Sequence, residues 1–214
     1  MRFTVPAIVL GLWVALAVPS PIREQDTSDI DHSKIIVTGI TYAGSGCPAG
    51  SVSLVPWTGR SDFALGFNKF IASIGPGIPI VENRKNCNLN VNLHYPLDYQ
   101  YTVYEFNFAG YAALDNGVKV THQLDSWFAG FAVNKATLKK ELVGPFYDSY
   151  NFHKSLDQDA RVWSPCNAST TLNLNTQIYL NNTLNPQGYG ITAAPEVLNN
   201  TLKAVYGMQW RKCL

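Results

Sequence analysis

The sequence predicts an all-β protein: an antiparallel β-sandwich of jelly-roll type, held by two disulfides and carrying at most one short helix. Three observations lead there. Apolar and polar side chains alternate strictly over two long runs, Cys87 to Tyr95 and Leu172 to Leu180. That period of two belongs to a strand with one buried and one wet face. Clusters of Gly, Pro, Asn and Asp punctuate the chain at Gly44-Ser45-Gly46, Gly75-Pro76-Gly77, Asp115-Asn116-Gly117 and Asn185-Pro186-Gln187-Gly188. Helical spacing is confined to Ala194–Ala204, through Leu198 and Leu202, with Pro195 near its first turn. Many short strands with regular turns make a sandwich or jelly roll.

From the amino terminus, the apolar run Val5–Val18 follows Arg2 and ends in Ala15-Leu16-Ala17. It is too short for a membrane span, which takes about 20 apolar residues, and the small-x-small ending is what a signal peptidase reads. Residues 1–17 are therefore expected to be a signal peptide, cleaved before Val18. Residues 18–33 hold two prolines, Glu24, Asp26, Asp29 and Asp31, and are expected to be a disordered acidic arm. One domain then spans residues 34–214. Residues 1–33 remove Arg2, Arg23 and those four acids from 16 basic and 15 acidic residues, leaving about +3 for the domain. Such a charge demands neither nucleic acid nor an anionic membrane as partner.

Within the domain, Ile35–Tyr42, Ser51–Val55 and Asp62–Phe67 are candidate strands. In Cys87–Tyr95, Cys87 shares the parity of Leu89, Val91 and Leu93, so its sulfur points into the core. Tyr99–Phe108 sets Tyr101 and Val103 on one face and Tyr104, Phe106 and Phe108 on the other, as in a strand covered on both sides. The Asn-Gly step at Asn116-Gly117 predicts a hairpin into the run Val118–Phe131. Thr137–Val143, Arg161–Trp163 and Val205–Cys213 are further candidates, with Lys139-Lys140 read as protection of a sheet edge. In Leu172–Leu180, as in Cys87–Tyr95, asparagines line the wet side.

An exported chain with four cysteines poses a pairing problem with three solutions. Cys47 with Cys87 and Cys166 with Cys213 is favoured, because each bond closes a loop within one half of the chain. Zinc is disfavoured, since no CxxC or HxxxH spacing occurs, and no metal or other cofactor is expected.

The cysteine contexts Gly44-Ser45-Gly46-Cys47-Pro48, Arg84-Lys85-Asn86-Cys87, Trp163-Ser164-Pro165-Cys166 and Gln209-Trp210-Arg211-Lys212-Cys213 resemble the signature blocks of the domain of unknown function 4360 family. Gly110-Tyr111-Ala112, Leu114-Asp115 and Gly144-Pro145 are further blocks similar to it. The resemblance covers residues 34 to 213 and implies a small secreted protein of the kind found mainly in filamentous fungi and in some bacteria. It implies no biochemical activity. Asn167 stands where the family pattern has Gly, a substitution that a left-handed turn tolerates.

Three sequons, at Asn167, Asn181 and Asn199, are expected glycan acceptors. Aromatics are 12% of the chain, and Trp57, Tyr95, Tyr99 and Trp127 lie beside turns where rings could stack on sugars, although most rings should fill the core. Arg84 and Lys85, held by the neighbouring Cys87, form a candidate anion contact. Catalytic residues do not stand out: His122 and Asp125 differ by an odd number and face opposite sides of a strand, as would Asp98 and Glu105 if one strand held both. The expected role is non-catalytic extracellular binding, with a cell-wall polysaccharide or an extracellular protein as partner. The alternatives are a glycan-active enzyme using carboxylates from separate strands, and an effector or inhibitor docking through an exposed apolar patch.

Overall fold

The computed structural model describes residues 30–55, 62–193 and 202–213. The expected signal peptide, most of the acidic arm, Trp57 and Asn199 lie outside the described residues. Ile30, within the expected arm, is buried in the core.

The strands in chain order are β1 (Ile36–Ala43), β2 (Val52–Val55), β3 (Asp62–Phe67), β4 (Ala72–Ile74), β5 (Arg84–His94), β6 (Tyr99–Leu114), β7 (Lys119–Phe128), β8 (Ala136–Val143), β9 (Phe146–Ser155), β10 (Leu172–Asn181), β11 (Gly190–Ala193) and β12 (Leu202–Lys212). They form two antiparallel sheets. The first is five-stranded, in the order β1-β5-β10-β7-β8; the second is seven-stranded, in the order β2-β3-β12-β6-β11-β4, with β9 also paired to β6. The all-β sandwich class expected from the alternation is the one observed.

Alternation decides which side chains enter the layer between the sheets. Leu89, Val91 and Leu93 of β5, Leu172, Leu174, Ile178 and Leu180 of β10, and Val120, Leu124 and Phe128 of β7 are buried from the first sheet. Tyr101, Val103, Phe106, Phe108, Tyr206, Met208 and Trp210 answer them from the second. Tyr101 meets Phe128 edge to face at 5.2 Å, a geometry that aromatic quadrupoles favour. A buried hydrogen bond of 2.9 Å between Thr176 and Tyr206 crosses the same layer.

The disulfides are Cys47–Cys87, with Cα atoms 5.4 Å apart, and Cys166–Cys213, at 5.8 Å. The first pins the loop after β1 to β5, and both its cysteines are buried. The second ties the loop before β10 to the end of β12. Gly46 is required beside the first: an added Cβ would sit 1.7 Å from the Phe70 ring.

Four expectations are corrected. Asp115-Asn116-Gly117 does turn the chain, with Val118 N–H donating to Asp115 C=O at 3.0 Å, but β6 and β7 then enter different sheets, so no hairpin forms. Gly117 has φ 81° while Asn116 keeps a negative φ, which fits a type II turn, whereas the hairpin type I′ needs both positive. In β6, the pairing register with β12 shifts between Gly207 and Met208, leaving Tyr104 as the extra residue of a bulge. The bulge reverses the parity, so Tyr101, Val103, Phe106 and Phe108 all face the core. Arg161–Trp163 is not a strand; the backbone bonds to β6 come at the next residue, Ser164, through Tyr101. Leu202–Ala204, placed at the end of the expected helix, opens β12; the rest of that helix lies outside the described residues.

Strands β4, β9 and β11 were not anticipated. β4 and β11 are only three and four residues long, and β9 buries only Tyr150 and Phe152, too little apolar pattern to stand out.

Candidate functional site

The outward positions of the five-stranded sheet form a polar grid. On β10 they are Asn173, Asn175, Gln177, Tyr179 and Asn181. Register sets Asn90, Asn88, Asn86 and Arg84 of β5 beside the first four. On the other flank, β7 presents Trp127, Asp125, Gln123, Thr121 and Lys119 beside the five in turn. β8 continues the rows with Thr137 next to Asp125, Lys139 next to Gln123 and Glu141 next to Thr121. Carboxamides thus run down the middle, with one aromatic ring near each end. Trp127 and Tyr179 are separated along the strands by about 20 Å, from the rise of about 3.3 Å per residue. Tyr179 is 40% exposed, so its ring is available to a ligand.

A depression of about 320 Å³ lies at the Tyr179 end, lined by Arg84, Lys119, Lys139, Glu141, Gln177 and their neighbours. Lys119 and Lys139 both contact Glu141 Oε1, each at 3.2 Å. Their hydrogen bonds, Lys139's foremost, hold the Glu141 carboxyl below the usual range. Arg84 is exposed and donates to Gln177 Oε1. No carboxylate among the described residues pairs with it.

Asp125, at 4% exposure, is an anchor for the grid. It accepts from Thr137 Oγ1 at 2.7 Å, from Gln123 Nε2 at 3.0 Å and from Gln177 Nε2 at 3.4 Å, and Lys135 Nζ lies 3.5 Å away. Those bonds fix the orientation of two amides in the middle of the face. Asp125 and Glu141, the carboxylates of this face, stand four residues apart along neighbouring strands. That is about 14 Å between backbone positions.

A larger depression of about 580 Å³ lies between Val133–Thr137 and Leu156–Trp163. Its indole is already occupied, since the Arg211 guanidinium sits 3.9 Å above the Trp163 ring. The sheet face is the better candidate because the Tyr179 ring on it is exposed rather than covered. Among the described residues, no group of three or more His, Cys, Asp or Glu could hold a metal ion.

The structure gathers some of the sequence-derived candidates on this face and disperses others. Trp127 and Arg84 belong to it, and Asn181 stands at its rim. Lys85 has the inward parity and is paired to Glu82 at 2.7 Å with its side chain 14% exposed, so it is not available as an anion contact. Tyr95 and Tyr99 are corrected from display to packing. Tyr95 is 3% exposed and meets Tyr101 and Trp210 edge to face; Tyr99 is also buried. Turn-adjacent position had suggested exposure for both, but both side chains fall on the core side.

Asn167 is exposed and holds φ 57°, the left-handed conformation that a family glycine would take freely. Asn181 Oδ1 accepts from Thr183 N–H at 2.8 Å and from Thr183 Oγ1 at 2.7 Å. His122 and Asp125 lie on opposite faces of β7: the histidine is in the core and the aspartate outside. Sequence reasoning missed Tyr179, Gln123, Gln177, Lys119 and Glu141 as site residues. The parity of Asn173, Asn175 and Gln177 was a signal for the first of them, because it places Tyr179 in the same row.

Comparison with known proteins adds the following. A protein from Arthroderma benhamiae bearing the name "Uncharacterized secreted protein" is 37% identical over 183 residues, covering 86% of this chain and 74% of its own. Among solved structures, TmCBM61 in complex with beta-1,4-galactotriose is similar at 10% identity and TM-score 0.28, over 83% of this chain and 90% of that one. The enzymatically active domain of bacteriophage CBA120 tailspike protein 4 is similar at 9% identity and TM-score 0.25, over 85% of this chain and 20% of that one. Superpositions this weak carry no inference about this chain. The model of the Domain of unknown function (DUF4360) matches residues 33–213, and the chain is a secreted member of that family.

Proposed function

We propose that the protein is a non-catalytic glycan-binding protein of the extracellular space, and that the outer face of the five-stranded sheet is its site. One observation carries this reading: an unbroken field of carboxamides, oriented by Asp125, lies between the outward rings of Trp127 and Tyr179. Sugars offer hydroxyls that amides can both donate to and accept from, and C–H faces that cover aromatic rings. The face is long enough for several sugar units in line along the strands.

Cleavage of residues 1–17 and N-glycosylation are part of the same reading. A glycan on Asn181 would stand at the rim of the depression.

The test is retention on insoluble chitin, glucan and mannan, using material with and without enzymatic deglycosylation. Wild type should be retained on at least one. Trp127→Ala or Tyr179→Ala should weaken retention about thirtyfold, taking about 2 kcal/mol for an aromatic anchor. Retention on none, with turnover of any one of them, would replace the binding reading with a hydrolase.

A further inference from the structure

The charge pattern of the depression carries the reading of this face one step further, to the kind of glycan bound. Arg84, Lys119 and Lys139 converge there with Glu141 as the single carboxylate among its lining residues. The two lysines share that one carboxylate, both on the same oxygen. Arg84 has only a neutral amide as partner. Two positive charges are therefore unbalanced beside the exposed ring of Tyr179, within a domain whose charge is otherwise close to neutral. Farther along the face, Lys135 is matched by Asp125, so the excess belongs to the Tyr179 end alone.

We propose that this end binds the carboxylate of a uronic acid residue in an acidic polysaccharide. This rests on the glycan-binding reading above. The planar guanidinium of Arg84 presents parallel N–H donors that fit a carboxylate fork, while Lys119 and Lys139 add charge without directional demand. Arg84 lies directly across from Tyr179 in the sheet register, so a sugar ring over the tyrosine brings an exocyclic carboxylate to the arginine. Glu141 acts as an internal competitor that holds the lysines until an anion arrives.

The experiment compares retention of the deglycosylated full chain on polygalacturonate and alginate, on neutral galactan and glucan, and on dextran sulfate. The uronate polymers should be retained best, with retention falling as ionic strength rises. Arg84→Ala should weaken uronate binding at least about tenfold, the size of a charge-assisted hydrogen-bond pair, well beyond its effect on neutral polymers; Arg84→Lys should restore part of it. Glu141→Gln should strengthen uronate binding by freeing both lysines, a gain that mere structural support from Glu141 would not produce. Equal retention of neutral and uronate polymers, untouched by Arg84→Ala, would overturn the inference and leave the glycan-binding reading standing. Preference for dextran sulfate over both uronate polymers would overturn the carboxylate assignment. Retention on no polymer would remove the glycan-binding reading as well. Unchanged melting temperatures identify variants whose fold is intact.

Discussion

Replacing His122 should make the protein more resistant to acid. The imidazole is 1% exposed and packs against Phe108, Tyr150 and Phe152 at centroid distances of 4.6, 5.1 and 5.0 Å. Neither ring nitrogen has a hydrogen-bond partner among the described residues. Desolvation pushes its pKa from 6.5 down to about 3, so the folded state holds it neutral. The facing Tyr150 has its own pKa raised by burial and supplies no charge. The unfolded chain binds a proton near pH 6.5 that the folded chain refuses. His122 therefore leaves stability intact above that pH and erodes it as pH falls toward 3.

Between about pH 7.5 and pH 5 the loss is about 2 kcal/mol, from about 1.5 pKa units at about 1.36 kcal/mol each. In His122→Leu that component vanishes while the carboxylates titrate as before, so the difference between the two proteins isolates it. Denaturant unfolding at the two pH values should show wild type losing about 2 kcal/mol more than the variant. At neutral pH the variant should be at least as stable, because leucine leaves no unpaired buried nitrogen at a cost of about 1–3 kcal/mol. Parallel losses within about 0.5 kcal/mol would refute the claim that burial alone keeps this histidine uncharged.

Other consequences are equally open to measurement. Removing Cys47 and Cys87 together should lower stability by about 4 kcal/mol on the chain-entropy model for the loop they close, read as a fall in denaturation midpoint with a steeper slope, because the unlinked denatured chain exposes more surface. Gly46→Ala should destabilise by several kcal/mol or prevent folding, since its methyl group would overlap the edge of the Phe70 ring; normal yield and midpoint would show that the loop can move aside. Thr176→Val and Tyr206→Phe should each cost about 1–3 kcal/mol by orphaning the other hydroxyl, whereas the double variant should recover most of that loss in an unfolding cycle.

Half of the face proposed as the binding site is legible in the amino-acid sequence. Alternation in Leu172–Leu180 fixes which residues of that strand are wet, and so places Asn173, Asn175, Gln177 and Tyr179 in one row. It says nothing about what lies alongside. Arg84 and Glu141 come within reach of Tyr179 only because β5 and β7 both pair with β10 and β8 pairs with β7. Tyr95 and Tyr99 failed as candidates because proximity to a turn does not determine which side of a sheet a ring takes.

The amino acids on their own determined the alternating burial of β5 and β10, the oxidised cysteine scaffold and the family. Each is written in local spacing or in motif context, where neighbouring residues suffice. Only the tertiary structure decided that β6 and β7 part into opposite sheets, that a bulge at Tyr104 turns four aromatic and aliphatic side chains to one core, and that residues from Arg84 to Asn181 share a face. Those outcomes depend on hydrogen-bond registers between segments distant in the chain, and such registers are chosen by the packing of the whole sandwich.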